Sequence, residues 1–221
     1  MAPEPAPAGT RLGEHPWVKI CGITQVRDAE LAVRLGADFL GLNFWRRSPR
    51  CLSLEAAREI TEAVRGRVRL VGVFVNHTPA EVVAIDAALG LDLLQFHGDE
   101  PPGEVRAFGD RAIRVLRANG SLRFKPLPEI WGYLFDVHDP QAYGGTGSSW
   151  DYRTVAGLVS GQPFLVAGGV RPANARQALM ESGACGVDVC SGIESAPGIK
   201  DPDLMRQLFT EVRHGQTRPA S

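Results

Sequence analysis

The chain has 221 residues, 44% of them hydrophobic and 22% charged, an ordinary globular composition that excludes disorder along the whole chain. Lys plus Arg number 24 and Asp plus Glu 25, for a formal net charge of -1, so no field of one sign invites a polyanion and no nucleic-acid partner is expected. No apolar run approaches the roughly 20 residues of a membrane helix, so no membrane partner is expected either.

Residues 1–16 are rich in Pro and Ala, with no basic start followed by an apolar stretch. They read as a disordered tail, not a secretory signal. Val18-Lys19-Ile20-Cys21 is the first strand. The helix after it runs from Val26 to Gly36, with Thr24 as N-cap, Gly36 as C-cap, and Ala29, Leu31, Ala32, Val33 and Leu35 on its apolar face. Phe39 to Phe44 is the second strand. Ser53 opens the second helix, where Leu54, Ala57, Ile60 and Val64 fall at helical spacing. Arg69 to Val75 is the third strand, and Thr78-Pro79 starts the third helix with proline at its first position.

Asp92 to Phe96 is strand four, Pro101 to Phe108 a short helix, and Ala112 to Leu116 strand five. A short helix is expected near Pro128 to Trp131. Tyr133 to Val137 is strand six, followed by a glycine-rich loop and a helix from about Tyr152 to Val159. Pro163 to Ala167 is strand seven, Pro172 to Ser182 a helix, Gly186 to Val189 strand eight, and Asp201 to Val212 the closing helix. Residues 215–221 read as a frayed end. Eight β/α units sit near the lower length limit of a (β/α)8 barrel. Continuous apolar strands such as Leu70 to Val75 suit a parallel sheet buried on both faces. One α/β domain over residues 17–214, a single (β/α)8 (TIM) barrel, is therefore expected. A doubly wound open sheet is the rival, but it usually has fewer strands.

In such a barrel, chemistry sits at the C-terminal ends of strands and in the loops after them. That rule selects Cys21-Gly22, then Arg46, Arg47 and Arg50, then Asn76. It continues with Gln95-Phe96-His97-Gly98, Asp136 and Gly168-Gly169, and ends on Asp188, Cys190, Ser191 and Gly192. The pairs Gly168-Gly169 and Ser191-Gly192 end adjacent strands, where main-chain N–H groups can converge on a phosphate. Two ordinary tight turns would look the same. Cys21 and Asp136 could act as base and acid across one mouth. Equally, Cys21 could be a small buried residue and Asp136 a loop cap. His97 and Arg50 are placed to meet an anionic substrate, or else to bond a loop and a surface acid.

The other two cysteines, Cys51 and Cys185, read as packing residues. No C-x-x-C pair, metal-ligand spacing or dinucleotide fingerprint occurs. No metal and no cofactor is expected, and a reducing cytoplasm is the default compartment.

Several segments in order carry a resemblance. They are Val18-Lys19-Ile20-Cys21-Gly22-Ile23-Thr24, Ser48-Pro49-Arg50, Gln95-Phe96-His97-Gly98, Tyr143-Gly144-Gly145-Thr146-Gly147, Ala167-Gly168-Gly169-Val170, Asp188 to Glu194, and Pro197 to Asp201. Together they resemble the phosphoribosylanthranilate isomerase family of tryptophan biosynthesis. The resemblance implies an aldose–ketose isomerase, formally an intramolecular oxidoreductase, that performs an Amadori rearrangement without a cofactor. Its partner would be a small phosphosugar substrate, with the chain a monomer or a homodimer. It also implies Asp136 as general acid, Cys21 as general base and Arg50 on the anthranilate carboxylate. Gln95, His97 and Asp188 would line the substrate, and Gly168, Gly169, Cys190, Ser191 and Gly192 would hold its phosphate. The family often has two serines after the strand-eight valine, and here the first is Cys190. The histidine-pathway Amadori isomerase would call for an aspartate where this chain has Cys21. A non-catalytic phosphosugar-binding barrel would not need both Cys21 and Asp136.

Overall fold

Short apolar runs alternating with amphipathic ones become strands and helices in the computed structural model, which describes residues 15–118, 124–137 and 151–213. The strands are β1 (Trp17–Cys21), β2 (Phe39–Asn43), β3 (Arg69–Phe74), β4 (Leu93–Phe96), β5 (Ala112–Ala118), β6 (Gly132–Val137), β7 (Phe164–Val166) and β8 (Gly186–Val189). They close into one barrel in sequence order. Neighbours are parallel throughout, and β1 seals against β8 with Trp17 opposite Gly186 and Ile20 opposite Val189. The helices are α1 (Val26–Leu35), α2 (Leu54–Val64), α3 (Pro79–Leu89), α4 (Pro102–Arg106), α5 (Pro172–Ser182) and α6 (Pro202–Arg213). A small antiparallel hairpin, β9 (Glu194–Ala196) with β10 (Ile199–Lys200), follows the barrel's last strand.

Local chemistry explains most helix ends. The Ser53 hydroxyl accepts from the Ala56 N–H at 3.1 Å and caps α2. Thr78 and Glu81 form a reciprocal capping box at α3, ahead of Pro79. Gly36 ends α1 at φ 88, a left-handed geometry that glycine adopts at no steric cost. Four expectations fail. Thr24 does not cap α1: Gln25 occupies that position, and the Thr24 hydroxyl donates instead to the Gly198 carbonyl. Leu54 is 46% exposed, so the apolar face of α2 is Ala57, Ile60 and Val64. The expected helix at 152–159 is one 3-10 turn, Tyr152–Val155, because Gly157 and Gly161 both take positive φ. Pro128 to Trp131 is a turn. The tail up to residue 14, the segment Tyr143 to Gly147, His138 and the chain after 213 lie outside the described residues.

Period-two alternation separates two faces of every strand. Outward residues such as Val18, Ile20, Leu40, Leu42, Leu94 and Val187 pack against the helices. Inward residues form a second apolar cluster at one end of the barrel: Trp17, Phe39, Val71, Leu93, Ile113, Leu134 and Leu165. Trp17, Phe39 and Trp131 close that floor with ring centroids 5.7 Å apart. One step further along the same strands the inward positions turn polar: Lys19, Gln95 and Asp136 are buried there. Gly41 makes this possible on β2, since a Cβ there would stand 2.8 Å from the Cys21 sulfur and 3.1 Å from the Lys19 ammonium. The fold thus sets a dry apolar base under a charged mouth.

Candidate active site

The mouth holds a cavity of about 390 Å³, within the range of small-molecule sites. On one side lies the seam of β1 and β8. Lys19, fully buried, donates to Asp188 at 2.9 Å. Lys200 of β10 is also buried, and its ammonium reaches the Cys21 carbonyl at 2.6 Å, the Cys190 carbonyl at 3.2 Å and Glu194 at 2.8 Å. Glu194 in turn takes two bonds from Arg50, at 2.8 and 2.6 Å. This fork-to-fork pair fixes the guanidinium in one orientation.

These charges set the protonation of the thiols. A hydrogen bond from the Cys190 thiol holds Cys21 well below the ordinary thiol range; burial opposes this, and Lys19, Lys200 and His97 assist it. Cys190 moves the opposite way, pushed up by donating to Cys21 and by burial. Burial works against the charge on Lys19, but Asp188 and Cys21 outweigh it and keep the ammonium above its usual range. Burial pushes the Asp188 carboxyl up to about 7 even though Lys19 pulls it down. Of the two thiols, Cys21 is therefore the one that carries negative charge.

Across the cavity stands a chain of three side chains. The Gln95 amide nitrogen donates to His97 Nδ1 at 3.1 Å. That assigns the ring proton to Nε2, which faces Asp136 Oδ2 at 3.1 Å. Asp136 is 4% exposed and lines the cavity. Its Oδ2 is thus occupied by the imidazole N–H.

The third wall comes from the turns after β7 and β8. Gly168 and Gly169 adopt φ 78 and 66, and both line the cavity. Among the described residues their N–H groups donate to no carbonyl. Their carbonyls are tied back instead: Tyr152 Oη donates to Gly168 at 2.9 Å and Asn174 Nδ2 to Gly169 at 3.0 Å. Holding the carbonyls away from the cavity leaves the N–H sides of the turn for an anion.

Of the residues singled out from sequence, Cys21, Arg50, His97, Asp136, Gly168, Gly169, Asp188, Cys190 and Ser191 line this one cavity. Gln95 does not: it is fully buried beneath His97 and reaches the cavity only through that ring. Gly192 does not either; its missing Cβ makes room for the Val170 carbonyl. Of the loop arginines, Arg47 joins the lining and Arg46 does not, and Asn76 stands outside it. Three important residues went unnoticed. Lys19 carried a signal, a lysine at an inward position of an apolar strand. Lys200 and Glu194 carried none beyond membership of the C-terminal motif, because the hairpin that folds them back under Cys21 is not written in periodicity.

A thiol held towards thiolate and an imidazole-bound carboxyl line one cavity in the mouth of a (β/α)8 barrel, the architecture of many enzymes that act at strand C-termini. Residues 18–211 match the family model for N-(5'-phosphoribosyl)anthranilate isomerase. The isomerase of that name from Acidithiobacillus ferrooxidans is 41% identical over 200 residues, covering 89% of this chain and 97% of that protein. The crystal structure of the Thermus thermophilus phosphoribosylanthranilate isomerase superposes with a TM-score of 0.80 at 34% identity, covering 90% of this chain and 98% of that one. Another solved isomerase, in complex with reduced 1-(o-carboxyphenylamino)-1-deoxyribulose 5-phosphate, superposes at 0.77 with 28% identity over 90% and 99% of the two chains. The chain belongs to the phosphoribosylanthranilate isomerase family.

Proposed function

We propose that the chain converts N-(5-phosphoribosyl)anthranilate to 1-(2-carboxyphenylamino)-1-deoxyribulose 5-phosphate, with Asp136 as general acid and Cys21 as general base. The observation that carries this is the placement of Cys21 and Asp136 in one cavity, each with partners suited to its task. Asp136, protonated on the oxygen not taken by His97, gives its proton to the furanose ring oxygen. The C1–O bond breaks and an iminium forms at C1. That cation acidifies the C2 proton, which the Cys21 thiolate removes. The electron pair moves into an enolamine, and tautomerisation delivers the C2 ketone. C2 is oxidised and C1 reduced, so the reaction is an intramolecular oxidoreduction.

The order of events explains the unequal environments. A base must be ready at neutral pH, and the Cys190 hydrogen bond, helped by the cations at the β1–β8 seam, favours a thiolate without a separate activating base. Arg50, fixed by Glu194, presents its remaining N–H groups to the anthranilate carboxylate. The main-chain N–H groups of Gly168, Gly169 and Ser191 take the phosphate, and Cys190 packs behind them. His97 and Asp188 border the sugar. No step calls for a cofactor. The cavity is built within one chain, so a monomer or a homodimer serves equally, and the four free cysteines fit a reducing cytoplasm. Among the described residues no helix is long and apolar enough to cross a membrane.

The test follows the loss of phosphoribosylanthranilate fluorescence with purified protein. Turnover that disappears in both Cys21→Ser and Asp136→Asn is the expected result. A parent protein that binds the substrate and leaves it unchanged would overturn the proposal.

A further inference from the structure

The parallel register of β1 and β8 has a consequence for the two thiols in the mouth. Lys19 pairs with Asp188, and both side chains point into the barrel, where they meet at 2.9 Å. The last registered pair, Ile20 with Val189, points outward. Cys21 ends β1 and Cys190 directly follows β8, and the Lys200 ammonium reaches the carbonyls of both. Both residues line the cavity, and both are free thiols. The Cys190 sulfur lies only 3.0 Å from where a Cβ on Gly22, the neighbour of Cys21, would stand. Adjacent strands run about 4.8 Å apart, inside the roughly 4.4–6.8 Å Cα separation that a disulfide spans.

We infer that Cys21 and Cys190 form a vicinal dithiol that a small peroxide entering the substrate cavity converts to a reversible disulfide. The pair is asymmetric in the sense such chemistry requires. Cys21 is the thiolate and therefore the attacking sulfur, with Lys19 and Lys200 beside it. Cys190 keeps its proton and is the resolving thiol. In the first step the Cys21 thiolate attacks one peroxide oxygen. The O–O bond breaks, the sulfur becomes a sulfenic acid and hydroxide leaves. In the second step Cys190 attacks that sulfur. The S–S bond forms, the S–O bond breaks, and the Cys190 proton leaves with the hydroxyl as water. One peroxide is reduced and two thiols are oxidised. A cross-linked Cys21 has no lone thiolate to accept a proton from C2, so the oxidised enzyme is off; this clause rests on the proposed role of Cys21 as base. Reduction returns both thiols.

The experiment treats the full chain with hydrogen peroxide without reductant, maps its peptides unreduced and follows turnover before and after dithiothreitol. A linked pair of peptides carrying Cys21 and Cys190 is expected. Turnover should fall by about 100-fold or more, as for loss of a general base, and recover on reduction. Cys190→Ser, compared with its own untreated sample, should still be inactivated but should not recover, because a sulfenic acid without a resolving thiol proceeds to sulfinic acid. A Cys51→Ala/Cys185→Ala chain leaves only one pair able to link and should behave as the parent does. Absence of the Cys21–Cys190 peptide in the oxidised parent would overturn the inference, as would equal recovery of Cys190→Ser. The link formed with turnover intact would uphold the dithiol and instead remove Cys21 as the base.

Discussion

The two sides of the barrel mouth solve opposite problems. The β1–β8 seam gathers three cations, Lys19, Lys200 and Arg50, around two thiols and two carboxylates. The β4–β6 side offers Asp136 one imidazole N–H, itself backed by a neutral amide. The first arrangement favours losing a proton, and the second holds one carboxyl oxygen against an imidazole ring. The barrel separates the two tasks by placing them on strands that never touch each other.

The comparison breaks first at Lys19. Above about pH 7, where Asp188 is ionised, Lys19→Met strands its buried charge, and truncating one partner of a buried pair typically costs about 3–5 kcal/mol. Urea unfolding should show that loss, and Lys19→Met/Asp188→Asn should recover much of it. The pH sign can be checked in the same series. Asp188 holds its proton in the folded state up to about 7, well above its unfolded value. Its stabilising contribution is therefore complete below the ordinary carboxylate range and is lost as pH rises towards 7. Asp188→Asn should flatten that part of the stability profile.

Chemistry comes next. Cys21→Ser and Asp136→Asn should each lower kcat by about 100-fold or more. Asp136→Asn should still bind a reduced, non-reacting product analogue; lost affinity with normal turnover would make Asp136 a binding residue. Gly169→Val forces a branched side chain into φ 66 and into the path of the phosphate. It should raise KM by about tenfold or more, near 1.4 kcal/mol, and weaken competition by inorganic phosphate. A folded Gly169→Val with normal KM would move the phosphate elsewhere.

The smaller effects sharpen the contrast. Lys200→Met leaves Glu194 paired with Arg50, so the fold should survive. It removes one of the cations that hold Cys21 down, so the pH midpoint of Cys21 alkylation by iodoacetamide should move up towards the ordinary thiol range. Tyr152→Phe releases the Gly168 carbonyl, and KM should rise by about threefold to fivefold, within about 1 kcal/mol for one neutral hydrogen bond. No change in KM would show that Asn174 alone holds the turn.

How legible all this was in the sequence follows the range of the forces involved. Strand and helix alternation is local, and all eight strands were readable, as were the caps at Ser53 and Thr78. Cys21, Asp136 and the Gly168-Gly169 turn were readable because the barrel rule points to strand ends. Local patterns misled where a hydroxyl had two uses: Thr24 sits where an N-cap belongs, yet bonds Gly198 across the β9–β10 turn. At Gln95 they gave no sign that a polar residue near a strand end would be fully buried and bond the His97 ring. Lys200 lay beyond reach because its meaning depends on a contact 179 residues away.

That contact ties the first strand of the barrel to a hairpin 179 residues further along the chain. Until residue 200 has emerged, Cys21 lacks the ammonium on its carbonyl. Contacts this distant in sequence slow folding, because closure entropy must be met before they form. They also bind competence to completion. A chain cut short before Lys200 carries the thiol but lacks one of the cations that hold it towards thiolate.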